Sequence, residues 1–471
     1  MPHSPQLDAA IQIVRTLRSA GYDAYLAGGC VRDLLLGREP QDYDVATSAT
    51  PDVVLGMFPR TFAVGAHFGV VLVASQPTVD CLPAAQEASA PPQVITEVAT
   101  FRNDGVYSDG RHPDEVRYTK TAAEDVQRRD FSINGLLLDP AHLANASPDQ
   151  QAPAIRAGLL DFVGGLDDLD ACVIRAIGRP EKRFEEDRLR LLRAVRFAAR
   201  FGFDIEHTTL AAIRKLAARI HAVSRERIRE ELTKMLTEGH ARRAFELLDE
   251  SDLLVQVLPE ISRMKGVQQP PQFHPEGDVW IHTLMLLEQL EPGCPMTLAW
   301  GALLHDVGKP PTYREAPDRI RFDGHVEVGV AIAADICRRF RFSNDETRQI
   351  LTLVDNHMRF ADAPRMKAST LKRFFRLDNF TEHLALHRMD CMAAHRNLDL
   401  YNFVRERYES LPEEEVRPTP LLTGRELIAA GYQPGPGFKE ILRALEDAQL
   451  EGSITTSDQA MSLVRERFGP A

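Results

Sequence analysis

Cysteine is scarce in this 471-residue chain, and its six residues are scattered without a Cys-x-x-Cys pair. That spacing argues against a zinc site or a disulfide framework and favours isolated, buried thiols. No run of 18 or more apolar residues occurs, so no membrane span or membrane partner is predicted. The N-terminus lacks the basic and then apolar segments of a secretory signal. These absences indicate a cytoplasmic protein, and the length indicates about three domains.

Positive charge is also in deficit, since the formal net charge is −12. The deficit is not uniform, because residues 175–243 contain 18 Lys and Arg against 10 Asp and Glu. Lys and Arg contacts to phosphates supply most of the sequence-independent affinity for RNA. The segment therefore predicts a basic RNA-binding face on an acidic protein. The alternative is a set of solvated helices with i,i+4 ion pairs.

The most informative segment places two aspartates after a glycine turn. Asp42 and Asp44 follow the sequence Gly28-Gly29-Cys30-Val31-Arg32-Asp33. On one strand their side chains point the same way, and two close carboxylates repel unless a cation or a proton lies between them. Mg²⁺ prefers oxygen ligands and shares them with substrate phosphates, which glycine backbones can approach closely. The pattern predicts metal-assisted nucleotidyl transfer; a glycine turn before an acidic surface loop is the alternative.

This segment resembles the active-site signature of class II nucleotidyltransferases, the family of bacterial tRNA CCA-adding enzymes and poly(A) polymerases. The resemblance continues, in order, as far as Ile228. The further matching motifs are Val64–Val71, Glu97–Arg102, Tyr107–Pro113, Arg128–Asn134, Asp161–Arg175, Glu186–Arg190 and Ser224–Ile228.

For the head of the molecule, this resemblance implies a catalytic centre and a nucleotide site. Asp42 and Asp44 are expected to bind Mg²⁺, and Glu97 is the candidate third carboxylate. Contacts to phosphate, ribose or base are expected from a larger set of residues. They are Gly28, Gly29, Arg32, Arg102, Arg129, Asp130, Asn134, Asp187, Arg190, Arg193 and Arg196.

Asp187 and Arg190 carry a specific expectation about base recognition. They are three residues apart, which predicts a shared helix face. Cytosine and adenine both present an amine donor beside a ring-nitrogen acceptor, which an Asp acceptor and an Arg donor match. Guanine and uracil would leave both contacts unsatisfied, at roughly 1–3 kcal/mol for each buried group. The resemblance implies such a protein template; an ordinary i,i+3 ion pair is the alternative.

A second group of motifs, beginning at Phe273-His274-Pro275-Glu276-Gly277, resembles the HD phosphohydrolase superfamily through the doublet His305-Asp306. Imidazole and carboxylate together suit Ni²⁺, Mn²⁺, Fe²⁺ or Zn²⁺ rather than Ca²⁺, and a bound metal can supply hydroxide to attack a phosphoester. The resemblance implies a core site and the extra ligands of two-metal members. The core ligands are His282, His305, Asp306 and Asp390, and the extra ligands are His325 and His357.

The hydrophobic periodicities predict an α+β protein, with a small mixed α/β head followed by helices. The resemblances identify these parts as a nucleotidyltransferase head and an all-helical neck, body and HD domain. Apolar residues at helical spacing predict a helix over 7–20, and short β-rich runs predict strands at 24–27, 68–74 and 94–101. From Arg179 onward the period is helical. The predicted domains are 1–145 (head), 155–265 (neck and body), 266–400 (HD domain) and 415–471 (a helical tail without assigned chemistry).

Together these features predict template-independent addition of C, C and A to the 3′ end of tRNA from CTP and ATP. Phosphoester hydrolysis at the HD site is a second expected activity. No DNA partner is predicted, and the oligomeric state is left open. Addition of A alone is one alternative. A poly(A) polymerase is another, although that enzyme usually has two basic residues where this chain has Ala66-His67. A phosphohydrolase with an inactive, RNA-binding head is the third, and the intact aspartates argue against it.

Overall fold

The computed structural model describes residues 4–63, 69–75, 93–104, 116–143, 151–272 and 274–470. The motif at Tyr107–Pro113 and most of the motif at Val64–Val71 lie outside these ranges, as do Cys81 and Phe273. The chain divides into two compact units, residues 1–235 with 243–257 and residues 236–242 with 258–471. The predicted head falls in the first unit, and the HD segment and tail fall in the second. The four predicted domain boundaries stay predictions.

The head combines helices with short strands, as predicted. The elements are α1 Pro5–Ser19, β1 Ala24–Ala27, α2 Gly29–Leu35, β2 Asp44–Thr47, α3 Pro51–Met57, β3 Thr61–Phe62, β4 Val70–Ser75, β5 Val94–Thr100, β6 Arg102–Asp104, β7 Val116–Tyr118, α4 Ala122–Gln127, β8 Leu137–Leu138, α5 Gln151–Ala157 and β9 Leu159–Leu160. Short 3₁₀ helices cover Ser132–Asn134 and Pro140–His142.

Seven of the nine described strands of the head form one sheet in the order β3-β4-β5-β2-β1-β8-β9, and β6 pairs with β7 in a separate two-stranded sheet. Strands β2 and β5 are parallel, with Val45 opposite Val98, and the other neighbours are antiparallel. Helix α1 packs on this sheet with a buried apolar stripe that includes Leu17, and Ser4 caps its N-terminus. The predicted opening helix and strands are therefore confirmed over their described residues.

The neck and body continue the first unit as helices, with one short pair of parallel strands, β10 (Val173–Ile174) and β11 (Asp204–Ile205). That pair departs from the all-helical expectation. The elements are α6 Gly165–Asp170, β10 Val173–Ile174, α7 Pro180–Glu186, α8 Arg190–Phe201, β11 Asp204–Ile205, α9 His207–Leu216, a 3₁₀ helix at Ala217–Ala222, α10 Arg225–Thr237, α11 Ala241–Glu250 and α12 Leu253–Val257.

The second unit is helical apart from one small hairpin, β12–β13, that the sequence did not predict. Its elements are α13 Pro259–Ser262, α14 Val279–Leu287, α15 Met296–Leu304, α16 Lys309–Thr312, β12 Arg314–Glu315, β13 Ile320–Arg321, α17 His325–Arg339, α18 Asn344–Asn356, a 3₁₀ helix at His357–Arg365, α19 Ala368–Phe375, α20 Phe380–Ala393, α21 Asp399–Ser410, α22 Glu413–Val416, α23 Gly424–Ala429, α24 Pro436–Leu450 and α25 Ser457–Phe468.

Two apolar clusters stabilise the C-terminal part of this unit. One surrounds the fully buried ring of Phe374, and the other lies in the tail around Leu427 and Val464. None of the described helices combines the length and the apolarity that a bilayer-crossing segment needs. The described cysteines are free thiols, but Cys172 is exposed and Cys294 only half-buried, so the expectation of buried thiols is wrong for these two.

Gly165 provides a stability test of the contact between α6 and the Ser132–Asn134 turn. A Cβ at this position would collide with the backbone carbonyl of Ser132 and lie 2.9 Å from a side-chain carbon of Leu136. Because backbone cannot move aside cheaply, Gly165→Ala is expected to lower the free energy of unfolding by about 1–3 kcal/mol in urea denaturation. Gly56→Ala is the matched control, since a Cβ there meets nothing within 4 Å in helix α3. Equal stability of the two variants would contradict the close approach.

Candidate functional sites

Two of the three predicted catalytic carboxylates lie at neighbouring positions of the head sheet. Asp44 is the first residue of β2, and the parallel register of Val45 with Val98 places it beside Glu97 on β5. Asp42 precedes the strand, so the expectation that both aspartates share one strand is wrong. Tyr43, between them, is buried and 5% exposed, whereas Asp42 is exposed. The buried tyrosine anchors the segment, and the acidic side chains remain at the surface of the sheet.

The electrostatics of this site favour a cation. Burial raises the pKa of Asp44 to about 6, and the charge of Glu97 adds to the effect, while Arg129 opposes it and Asp42 reinforces it. A bound cation would relieve this repulsion, and three carboxylates form the oxygen-rich donor set that Mg²⁺ prefers. The residues therefore suit the Mg²⁺ that the sequence predicts, although they do not form one of the tighter groups described below for the second unit.

Arg32 is the centre of a buried polar network in the head. Its side chain is 4% exposed; Nη1 donates to Asn134 Oδ1 at 2.5 Å and Nε donates to Asp33 at 2.9 Å. The guanidinium also lies 4.5 Å from the ring centroid of Phe201 on α8. These contacts join α2 to the neck, and the predicted phosphate contact of Arg32 stays a prediction.

Asp130 extends this network to the neck. It accepts a hydrogen bond from Asn134 Nδ2 at 3.1 Å and another from Arg193 Nη2 at 2.6 Å. Burial acts to raise the pKa of Asp130, but the charges of Arg193 and Arg190 outweigh it and hold that pKa well below its usual range. Asp130 therefore stays ionised and links the head to α8.

Neck arginines also hold the backbone that leads to Asp130. Arg183 donates to the carbonyl of Gln127 at 2.6 Å, and Arg190 donates to the carbonyl of Arg128 at 3.1 Å. Arg193 binds the carboxylate two residues further on. Three guanidinium groups therefore form hydrogen bonds with one short segment of the head. The sequence patterns did not predict this arrangement.

Asp187 and Arg190 do not share a helix face, so that prediction is wrong. Asp187 follows the last residue of α7 and has an extended backbone, φ −137° and ψ 108°, and Arg190 begins α8. Asp187 accepts a hydrogen bond from the Leu189 N–H and another from Arg227 Nη2 at 2.9 Å. Arg190 pairs with Glu186 at 2.9 Å. The break between α7 and α8 lies between the two residues, so helical periodicity does not relate their side chains.

The remaining predicted nucleotide contacts have mixed environments. Arg129 binds Asp125 and the Asn134 carbonyl, and its Nη1 would lie 2.9 Å from a Cβ at Gly28. Gly28 has a φ of +74° and immediately precedes α2, whose first residue is Gly29. Arg102 begins β6 and donates its backbone N–H to Asp125. Arg196 forms a buried ion pair with Glu231 of α10 at 2.7 Å, which gives it a packing role between helices.

The six predicted HD ligands converge in the second unit. His282 lies on α14, and His305 and Asp306 follow α15. His325 begins α17, His357 follows α18, and Asp390 lies on α20. Five helices or their ends, from distant parts of the chain, therefore bring these carboxylates and imidazoles to a common centre.

The ligand atoms fall into two triads around Asp306. Among the described residues, the ligand atoms of His282, His305 and Asp390 lie within 4.8 Å of one another, and so do those of Asp306, His325 and His357. Asp306 Oδ2 is 3.2 Å from His305 Nε2, and Asp306 Oδ1 is 3.8 Å from His357 Nε2. The two oxygens of one carboxylate thus face both triads, so Asp306 could provide a ligand to a metal held by either triad.

Four orphaned nitrogens support a metal at this centre. The Nε2 atoms of His282, His305, His325 and His357 are buried and have no hydrogen-bond partner. Three of these rings are fixed through Nδ1 by backbone carbonyls, at Ala302, Phe322 and Val354. An Nδ1–H donor leaves the Nε2 lone pair for a metal. The donor set therefore suits a transition metal.

The charge balance of this centre agrees with the geometry. Burial opposes a charge on His282, but the neighbouring carboxylates of Asp390 and Glu276 outweigh burial and raise the pKa of His282 to about 9. Burial lowers the pKa of His357 to about 4. Asp306 also receives Lys309 Nζ at 2.7 Å, and the same lysine contacts Gln269 at 2.7 Å. The carboxylates of this centre thus have positively charged groups beside them, as carboxylates that bind a metal ion do.

A cavity of about 760 Å³ opens over the HD centre. Several of the candidate metal ligands line the cavity, and Lys309, Arg319 and Arg321 add positive charge to its lining. Two polar neighbours without a role predicted from the sequence are His274, which lines the cavity, and Glu276, which is 4% exposed at its side chain. The polar segment upstream of His282 was the available signal for both.

Models of three protein families match the chain. The poly A polymerase head domain matches residues 24–175, the probable RNA and SrmB-binding site of polymerase A matches residues 202–265, and the HD domain matches residues 278–394. The fold and sites thus define a nucleotidyltransferase class with a poly(A)-polymerase-type head, an RNA-binding segment and an HD domain.

Similar proteins narrow this class. The CCA-adding enzyme of Levilactobacillus brevis is 37% identical over 469 residues, covering 98% of each chain. The CCA-adding enzyme of Lactobacillus helveticus is 35% identical over 283 residues, which is 59% of this chain and 63% of that relative, so this match spans less than two thirds of the relative's length. A crystal structure of the Bacillus stearothermophilus CCA-adding enzyme in complex with CTP matches with a TM-score of 0.68 and 27% identity over 99% of each chain. The chain belongs to the family of CCA-adding enzymes.

Proposed function

We propose that this protein adds C, C and A to the 3′ end of tRNA, using CTP and ATP. The proposal rests on one observation above the others: the carboxylates Asp42, Asp44 and Glu97 are intact and adjacent in a chain 37% identical, over almost its whole length, to a CCA-adding enzyme. The structure similar to this chain at 27% identity was determined with CTP.

Each group in the head has a proposed task. Asp42 and Asp44, with Glu97, would hold Mg²⁺, and Arg129 would steady the triphosphate beside Gly28 and Gly29. Mg²⁺ bound there would lower the pKa of the RNA 3′-hydroxyl and neutralise the leaving pyrophosphate. The basic neck would hold the acceptor end of the RNA through phosphate contacts. Asp130 and Arg193, joined at 2.6 Å, would keep the head and the neck aligned during transfer.

Sequencing the 3′ ends of tRNA that lacks CCA, after incubation with all four NTPs, tests this proposal. Ends that gain C, C and A support it. Addition of A only to tRNA that already ends in CC would identify an A-adding enzyme, and long A tails would identify a poly(A) polymerase. No addition in Mg²⁺ would favour an inactive head that binds RNA.

Base selection is the finer part of the proposal. Asp187 and Arg190 would read the pairing edges of C and A, and Asp187 would then exchange its Arg227 contact for the base. Asp187→Ala is expected to lower the CTP:UTP ratio of kcat/KM by about one to two decades, because a charge-assisted hydrogen bond is worth roughly 1.5–3 kcal/mol. Arg190→Ala should weaken selection as well. Competition assays on tRNA ending before CCA measure the ratio.

Asp170→Ala is the control for this prediction, since Asp170 is an exposed aspartate that forms an ion pair with Arg156 at 2.9 Å. It should leave the CTP:UTP ratio unchanged. If Asp187→Ala also left the ratio unchanged, Asp187 would be a structural partner of Arg227 alone.

A second activity, hydrolysis of phosphoesters, is proposed for the HD centre. The observation that favours it is the set of four buried Nε2 atoms without partners around Asp306. Ni²⁺, Mn²⁺, Fe²⁺ or Zn²⁺ held by these residues would supply hydroxide for attack on phosphorus. Lys309 and the arginines of the cavity wall would attract the phosphate.

A further inference from the structure

His282 differs from the other three imidazoles of the HD centre in how its ring is anchored. His305, His325 and His357 donate Nδ1–H to backbone carbonyls, which no substitution can remove. His282 is anchored instead by a side chain, since its Nδ1 lies 2.7 Å from Glu276 Oε1. Its ring is therefore the one whose orientation depends on a replaceable residue.

We propose that Glu276 is a positioning residue for the HD metal centre, acting through His282. A carboxylate acceptor at Nδ1 selects the tautomer that carries its proton there and leaves the Nε2 lone pair for metal. That Nε2 faces Asp390 Oδ1 at 3.1 Å and is otherwise unpartnered. The inference rests on the proposed function of this centre and adds a residue that the ligand set does not contain.

The surroundings of Glu276 keep its carboxylate in place. Its side chain is 4% exposed, and the same Oε1 accepts a second hydrogen bond, from His274 Nδ1 at 2.9 Å. The His274 ring meets the His282 ring edge to face, with centroids 4.9 Å apart. One oxygen thus holds two imidazoles at a fixed angle, and His274 steadies the anchor from the cavity side.

The alternative is that Glu276 and its histidines hold an ion of their own, because His274, Glu276 and His282 also lie within 4.8 Å of one another. The Nδ1 to Oε1 distances of 2.7 and 2.9 Å are those of charge-assisted hydrogen bonds. An ion between these atoms would require both protons to leave. The geometry therefore assigns the cluster to hydrogen bonding.

A graded series of variants tests the proposal in the full-length protein. Mn²⁺ affinity is measured by calorimetry, and the visible spectrum of bound Co²⁺ reports ligand geometry. Glu276→Ala is expected to weaken Mn²⁺ binding by about 10–100-fold and to alter the Co²⁺ spectrum, because the ring of His282 is then free to turn. Glu276→Gln keeps an oxygen acceptor for Nδ1–H, so it should recover most of the affinity.

Two further variants separate positioning from simpler effects. Glu260→Ala removes another partly buried carboxylate of the same unit, one that pairs with Arg339 at 2.7 Å, and should leave Mn²⁺ affinity unchanged. His274→Ala removes the second donor but keeps the Glu276–His282 bond, and should change the affinity by no more than about threefold. If Glu276→Gln weakened Mn²⁺ binding as much as Glu276→Ala, only the charge of Glu276 would matter, and the positioning role would be wrong.

The outcomes distinguish this inference from the proposed HD function. A wild-type protein that binds neither Mn²⁺ nor Co²⁺ would overturn both. A wild-type protein that binds metal, with Glu276→Ala binding equally well and giving the same Co²⁺ spectrum, would overturn only the role of Glu276. If Glu276→Ala failed to fold, judged by thermal melting without metal, Glu276→Gln decides through the Co²⁺ spectrum, which should then match that of the wild type.

Discussion

Asp44→Ala or Asp42→Ala is expected to abolish nucleotide addition while tRNA binding survives. A metal ion contributes several kcal/mol of transition-state stabilisation, and at about 1.4 kcal/mol per decade its loss corresponds to three or more decades in rate. The basic neck, which does not contain these carboxylates, is proposed to supply the RNA contacts. CTP incorporation and filter binding of tRNA measure the two properties. Wild-type turnover of either variant in Mg²⁺ would show that the metal assignment is wrong.

Asp44→Asn separates lost chemistry from lost folding. Burial raises the pKa of Asp44 to about 6, so its ionised form destabilises the metal-free fold near pH 7.5. The native state then binds protons more tightly than the unfolded state, and the wild type gains stability relative to Asp44→Asn as the pH falls from 7.5 to 5. Thermal melting in EDTA should therefore show an inactive variant at least as stable as the wild type at pH 7.5, with a margin that shrinks on acidification.

Asp52→Ala is the matched control for these variants. Asp52 is exposed in the first turn of α3, where its charge is worth at most about 1 kcal/mol to the helix. CTP incorporation by this variant should equal that of the wild type. A similar loss of activity in Asp52→Ala would mean that any acidic residue of the head affects turnover.

The second large effect is expected at the HD centre. His305→Ala combined with Asp306→Ala should remove transition-metal binding and with it Ni²⁺- or Mn²⁺-dependent hydrolysis of a phosphoester such as a 2′,3′-cyclic phosphate. Asp306 is the residue whose two oxygens face both ligand triads, so its loss affects every metal position. Incorporation of CTP and ATP should stay intact, because the head carboxylates belong to the other unit.

Metal analysis and hydrolysis assays decide this prediction. Asp306→Ala leaves the buried Lys309 without its carboxylate partner, so Asp306→Asn is included as the variant that preserves shape. Asp345→Ala, at an exposed position of α18, is the control that should retain metal. No transition metal in the wild-type protein, together with no hydrolysis in any added metal, would remove the proposed second activity.

The motif positions were accessible from the sequence because they are local. Asp42 and Asp44 are two residues apart, and His305 and Asp306 are adjacent, so chain connectivity alone keeps each pair together. The opening helix was equally accessible, since an apolar stripe of period 3.6 reports which face is buried. The prediction failed at Asp187, because residues three apart share a face only if no helix break lies between them.

Long-range pairings were not accessible in this way. Arg32 and Asn134 are 102 residues apart, and Arg193 and Asp130 are 63 apart, yet a side-chain hydrogen bond joins each pair. Periodicity describes which face of an element is buried, not which partner covers it. Arg32 and Arg196 were therefore predicted only as nucleotide contacts, and the structure adds the protein partner of each.

The amino-acid sequence predicted two chemistries, one from paired aspartates behind a glycine turn and one from a His-Asp doublet with further histidines. How these groups are held became visible only in the folded chain. It divides the HD ligands into two triads across Asp306, anchors His282 through Glu276, and makes neck arginines grip the backbone before Asp130. The reason is physical, because residue type fixes what a side chain can bind, whereas burial and the directions of its neighbours fix what it does bind.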